Sequence, residues 1–336
     1  MMKRIILTLL VLCALSGALT AQDPKPSTSS STVQTPSAPA NPVQTPTTPP
    51  NPAQTTTNPT VIRVPVYLVN VPLTVTDKKN RLVIMMTKDD FNLFEDGKPQ
   101  TIQYFSRETD LALRIGLLID TSNSIRDRLH FEQQAATDFL SDTIRRGKDK
   151  AFIVGFDVEP QMVQDYTDNV EQLAGAIHGL QAGGVTSLYD AIYISCKEKL
   201  LFFPPPEPYL RRLLIVVSDG EDNRSEHTRE EALAMAQRAE VTIFAISTNR
   251  SGAETRGDRV LRRLAEETGG HAYFPFEASD LAEDFRQIGR DLRTQFLLSY
   301  TSTDIARDGT FRHISIEPVN KTFHVRAKSG YFAPSQ

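Results

Sequence analysis

The sequence predicts an α/β fold: a doubly wound, mostly parallel six-stranded sheet flanked by N- and C-terminal β-strand segments. In the middle of the 336-residue chain, apolar runs such as "LALRIGLLID", "LLIVVSD" and "VTIFAIS" alternate with stripes of helical spacing. These runs have no polar face, so both faces need cover by helices. On either side the pattern changes to the period-two alternation of half-buried strands.

The elements follow in order. Lys3 and Arg4, an apolar run to about Leu15 and small residues up to Ala21 read as a secretory signal peptide over 1–21. The apolar run is shorter than the ~20 residues that span a bilayer, which leaves an uncleaved anchor as the other reading. Leu12 before Cys13 does not fit a lipoprotein cysteine. Residues 22–60 are nearly all Pro, Thr, Ser, Gln, Ala and Asn, a composition that cannot bury enough to fold and makes an extended spacer.

Residues 61–109 read as a β module, with "VPVYLVNVPLTVTD", "RLVIMM" and a hairpin turning at Asp96-Gly97. Residues 294–336 offer three more strands, "QFLLSYTST", "TFRHISIEP" and "TFHVRAKSGYF". Each flank alone has a thin core, so the two are expected to pair as one sandwich-like unit around the inserted middle, 111–293. Within the middle, "AFIVGFDVEPQMVQDY" has too short a turn for a parallel crossover and implies one antiparallel edge strand. Strand "HAYFPF" and a last helix from Ser279 to Arg293 complete it.

Composition narrows the function. A net charge of −4 without a long block of like charge does not suit a nucleic-acid binder. Beyond Cys13 the one cysteine is Cys196, on the buried face of a helix with Leu188, Ala191, Ile192 and Ser195; no intramolecular disulfide is available and the thiol reads as packing. The six histidines have no ligand spacing, and no P-loop, GxGxxG, HExxH or GxSxG occurs. In "TRGDRV", Asp258 reads as the N-cap of the helix that follows rather than as part of an adhesion tripeptide.

One apolar strand ends in Asp120-Thr121-Ser122-Asn123-Ser124. Ser122 or Ser124 could cap the next helix; alternatively Asp120, Ser122 and Ser124 present three oxygens at the C-terminal edge of the sheet, where α/β folds bind ligands. Thr186, after Gly183-Gly184, and Asp219, at the end of "LLIVVSD", belong to the same edge. If the two strands are neighbours, Asp120 and Asp219 repel unless a cation lies between them.

The order D-x-S-x-S, T, D resembles the metal-ion-dependent adhesion site of the von Willebrand factor type A domain, and 111–293 resembles that domain as a whole. The flanks, with "TKDDFNLFEDGKPQTIQYF" and "KSGYFAP", resemble secreted bacterial proteins of the VWFA-related group. The resemblance implies that Asp120, Ser122, Ser124, Thr186 and Asp219 hold a metal. Five oxygen donors without Cys or His suit Mg2+ first, then Mn2+ or Ca2+, and do not suit zinc. It further implies an exported, non-catalytic binding protein, in the periplasm, cell envelope or outside the cell, which captures a Glu or Asp carboxylate of a protein partner. Glu221, Asp222 and Asn223 border the site as a partner rim, or form an ordinary solvated turn. The other functional readings are a structural envelope-assembly scaffold with the metal as a staple and a Mg2+-dependent hydrolase, although Ser122 stands where such hydrolases place a second acid.

Overall fold

The computed structural model describes residues 67–201, 210–249 and 251–335. The segments expected to be a signal peptide and a Pro/Thr/Ser-rich linker, and the first residues of the expected N-terminal β module, lie outside the described residues.

The strands of the N-terminal flank are β1 (Leu68–Thr76), β2 (Phe91–Glu95), β3 (Lys98–Gln100) and β4 (Tyr104–Glu108). The middle runs β5 (Ala112–Asp120), α1 (Leu129–Thr143), β6 (Lys150–Phe156), β7 (Pro160–Thr167), α2 (Val170–His178) and α3 (Leu188–Ile194), which continues as a π-helical segment, Ser195–Leu200. It goes on through β8 (Leu210–Ser218), α4 (Arg229–Arg238), β9 (Val241–Ser247), α5 (Arg256–Glu267), β10 (Ala272–Tyr273) and α6 (Ala278–Leu292). The C-terminal flank supplies β11 (Gln295–Thr301), β12 (Phe311–Pro318), β13 (His324–Ala327) and β14 (Gly330–Phe332).

The middle forms one six-stranded sheet in the order β10-β9-β8-β5-β6-β7. All neighbours are parallel except β6 and β7, so the short "DVEP" turn does produce an antiparallel edge strand. Helices cover both faces. On one, Ile115, Leu117 and Ile119 pack with Phe139 and Leu140 of α1, Ile177 of α2 and Phe285 and Ile288 of α6. On the other, Leu118, Val216 and Ala245 pack with Ile192 of α3, Ala232 of α4 and Leu261 of α5, and Cys196 is fully buried there. The chain passes from β5 to β6 on one side and later returns to β8 on the other. The carboxyl ends of β5 and β8 are therefore the switch point, where such sheets leave a crevice.

The flanking strands interleave in two antiparallel sheets, β13-β1-β11-β4 and β14-β12-β2-β3, so each sheet draws strands from both ends of the chain. Leu73 pairs with Phe296 and Leu93 with Ile316. Val71, Leu93, Leu298 and Tyr331 share one core. Inside it Glu95, 2 % exposed, accepts the Tyr300 hydroxyl at 2.6 Å and the Tyr331 hydroxyl at 3.0 Å, which satisfies a carboxylate that burial would otherwise penalise.

Four local expectations need correction. "RLVIMM" is not a strand: Leu82 bridges Thr76 and the Val83 N–H donates to Val75, but over Leu68–Leu73 β1 is already paired with β11. "TFHVRAKSGYF" divides into β13 and β14 in different sheets, because Lys328 bridges Thr268 and the Ser329 N–H donates to Glu267, which turns the chain. "HAYFPF" pairs only through Ala272 and Tyr273 before Pro275 ends it. Asp258 is not the N-cap of α5. Thr255 is, and Asp258 is the third residue of the capping box.

Candidate metal centre

Strand β5 delivers Asp120 to the switch point, fully buried. Its Oδ1 accepts the Ser122 N–H at 2.8 Å and its Oδ2 the Ser218 hydroxyl at 2.7 Å, from the last residue of the neighbouring strand β8. Burial pushes the Asp120 carboxyl up to about 6, against the bonds from Ser218 and Ser122, and the nearby charge of Asp219 adds a smaller push in the same direction.

After Asp120 the chain makes a single 3-10 turn, Asn123–Ile125, and α1 starts only at Leu129, with Arg128 as its N-cap. Ser122 makes no side-chain capping bond. The hydroxyls face elsewhere: those of Ser122 and Ser124 lie 2.9 Å apart, and Ser124 donates to Asp219 Oδ2 at 3.0 Å. The capping reading therefore does not describe this loop.

The loop carrying Thr186 is fastened to both others. The Gly183 N–H donates to Thr121 O at 2.7 Å, and Asn123 donates to Gly184 O through its backbone at 3.3 Å and its side chain at 3.1 Å. Gly184 takes φ +76°, and a Cβ there would meet Val158 at 3.0 Å and Asp157 at 3.2 Å. Toward the third loop, Asn223 Oδ1 accepts the Thr186 N–H at 3.1 Å while its own N–H donates to Thr186 O at 3.1 Å. Thr186 itself is buried.

The third loop is packed backbone to backbone. Gly220 has φ +79°, and a Cβ on it would stand 2.3 Å from the Gly257 carbonyl oxygen; a Cβ on Gly257 would stand 2.1 Å from Asp219 O. The Arg256-Gly257-Asp258 tripeptide is thus the underside of this loop, with Asp258 3 % exposed and bonded by Ser247 at 2.6 Å and Asn249 at 2.7 Å.

Of the proposed rim, Glu221 lines a depression of about 340 Å³ with Ser124, Asp127, Asp219 and Asn249. Asp222 turns inward: its Oδ2 accepts the Tyr189 N–H at 2.9 Å at the start of α3 and the Ser225 hydroxyl at 2.6 Å. Asn223 is exposed and latches Thr186 as described. Ser218 is the polar residue that sequence reasoning missed; a hydroxyl directly before Asp219 was its only signal.

Among the described residues, no group of three His, Cys, Asp or Glu that could hold a metal occurs. The candidate set is instead two carboxylates with three hydroxyls, all oxygen, a donor chemistry that suits a hard divalent cation.

Residues 115–221, which include all five candidate ligands, match the von Willebrand factor type A domain family. No curated protein matches the chain. Among solved structures, the chain is similar to a von Willebrand factor type A protein from Catenulispora acidiphila, at 13 % identity, 74 % of each chain covered and a TM-score of 0.46. It is similar also to the conserved hypothetical protein BatB from Bacteroides thetaiotaomicron, at 16 % identity over 54 % of this chain and 100 % of that one, with a TM-score of 0.43. A third is proximal thread matrix protein 1 from the mussel byssus, solved with a zinc-occupied MIDAS motif, at 16 % identity over 59 % of this chain and 49 % of that one, with a TM-score of 0.46. Residues 115–221 of the chain therefore belong to a von Willebrand factor type A domain.

Proposed function

We propose that Asp120, Ser122, Ser124, Thr186 and Asp219 form a metal-ion-dependent adhesion site, and that the protein is an exported, non-catalytic binding protein of the cell envelope or its surroundings. The observation that carries the reading is the convergence of three loops on one crevice, with Ser124 of the first hydrogen-bonded to Asp219 of the third. A bound divalent cation, Mg2+ on the donor chemistry, would supply a Lewis-acidic centre for a Glu or Asp side chain of a protein partner.

This chain's own residues prepare the site. Ser218 and the Ser122 N–H fix both oxygens of Asp120. That arrangement favours a positioning carboxylate over a nucleophile, since neither oxygen is left without a donor. Glu221, on the rim beside Asp219, adds negative charge that selects against a partner surface crowded with acids.

The test is retention of envelope proteins on the immobilised chain. Binding that needs Mg2+, is released by chelator and is lost in Thr186→Ala supports the reading. Retention indifferent to chelator would remove adhesion through the metal and leave the scaffold role.

A further inference from the structure

At the opposite edge of the α/β sheet, the N-terminal ends of β8 and β9 meet strands β1, β4 and β11 of the flanking unit around a cavity of about 270 Å³. Its lining is polar and incompletely paired. Arg211, 7 % exposed, donates through Nη1 to the Leu292 carbonyl at 2.8 Å, but its Nη2 has no acceptor among the described residues. Gln295, 2 % exposed, has the opposite need: its Oε1 has no donor there. Arg212 Nε also has no partner among the described residues. The Arg212 guanidinium and the Lys328 ammonium share one carboxylate, Glu240, at 3.8 and 3.7 Å. Glu108, the other carboxylate of the lining, already accepts the Ser106 hydroxyl at 2.7 Å.

Buried polar atoms are normally paired, because desolvation without a partner is costly. Here Arg211 needs an acceptor and the amide oxygen of Gln295, which lines the same space, needs a donor, and that space is at the small end of ligand pockets. We propose that this cavity binds a small organic anion, a hydroxy- or amino-carboxylate, whose carboxylate bonds Arg211 and whose hydroxyl or ammonium donates to Gln295 Oε1. Its walls come from both the α/β sheet and the flanking strands, so such a ligand fastens one to the other and stabilises only the docked form.

The experiment is calorimetric titration of the full chain with malate, aspartate, succinate and inorganic phosphate. It is done in chelator and in an Asp120→Ala background, so that the metal centre plays no part. Saturable binding of malate or aspartate, with succinate about tenfold or more weaker because it lacks the donor, is the expected result. Gln295→Leu should bring malate down to the level of succinate and leave succinate unchanged, and Arg211→Lys should weaken all carboxylates; circular dichroism confirms that each variant is folded. No saturable binding of malate or aspartate by the folded chain would overturn the proposal and leave a water-filled cavity. Binding of phosphate alone, or binding indifferent to both substitutions, would overturn it as well.

Discussion

The Ser124 hydroxyl donates to Asp219 Oδ2 at 3.0 Å although 95 positions separate the two residues in sequence. The bond joins the loop after β5 to the loop after β8. Ser124→Ala removes this bond and one hydroxyl ligand together. Because Ser124 is exposed, stability should change by less than about 1 kcal/mol while divalent-cation affinity falls about 10-fold or more. Denaturant unfolding beside metal titration separates the two effects.

Ser218 supports Asp120 from behind, and its Oγ also accepts the Gly220 N–H at 3.1 Å. Ser218→Ala leaves all five proposed ligands in place but frees Asp120 Oδ2 and an N–H of the third loop. A drop of about 10- to 100-fold in cation affinity is expected, the size of effect typical of residues that orient ligands. An unchanged affinity would show that β5 and the Ser122 N–H hold Asp120 without Ser218.

Gly220 combines a left-handed backbone with contact against Gly257. Gly220→Ala forces a Cβ into the Gly257 carbonyl, and the loop carrying Asp219 must move or the start of α5 must give way. A loss of roughly 1–3 kcal/mol in unfolding free energy is expected, with weakened metal binding. Gly97, also at positive φ but with nothing within 4 Å of its added Cβ, is the control that should show the backbone cost alone.

Asp149 contributes to the response to acid. It is fully buried; burial opposes its ionisation, yet hydrogen bonds from Arg145, Arg293 and the Leu113 and Arg145 N–H groups hold its pKa down at about 2. Because the folded value lies below the unfolded one, the stabilisation is present above about pH 4 and is lost as pH falls toward about 2. It amounts to roughly 2 kcal/mol. Urea unfolding at about pH 5 and about pH 2.5 should show a smaller drop for Asp149→Asn than for the original chain. Equal drops would assign the acid sensitivity to other carboxylates.

Strands β5, β8 and β9 were legible because burial on both faces leaves a continuous apolar run, which few other elements produce. The D-x-S-x-S loop was legible because its spacing is local. Ser218 was not, since its role depends on β5 and β8 being neighbours in register, with Ile119 opposite Val217. The division of β13 from β14 depends on contacts of Lys328 and Ser329 with the end of α5, a relation no local pattern encodes. Asp258 was placed on the correct helix but in the wrong role, because Thr255 and Asp258 both satisfy the preference for an N-cap and only the backbone angles distinguish them.

The measurement that tests the metal centre most directly is calorimetric titration of Mg2+, beside Mn2+, Ca2+ and Zn2+, into the chelator-treated chain and its Asp120→Ala and Asp219→Ala variants. One saturable site per chain, lost in both variants, is the predicted result. Binding retained at full strength in both folded variants would contradict it, and would place the cation away from the crevice between β5 and β8.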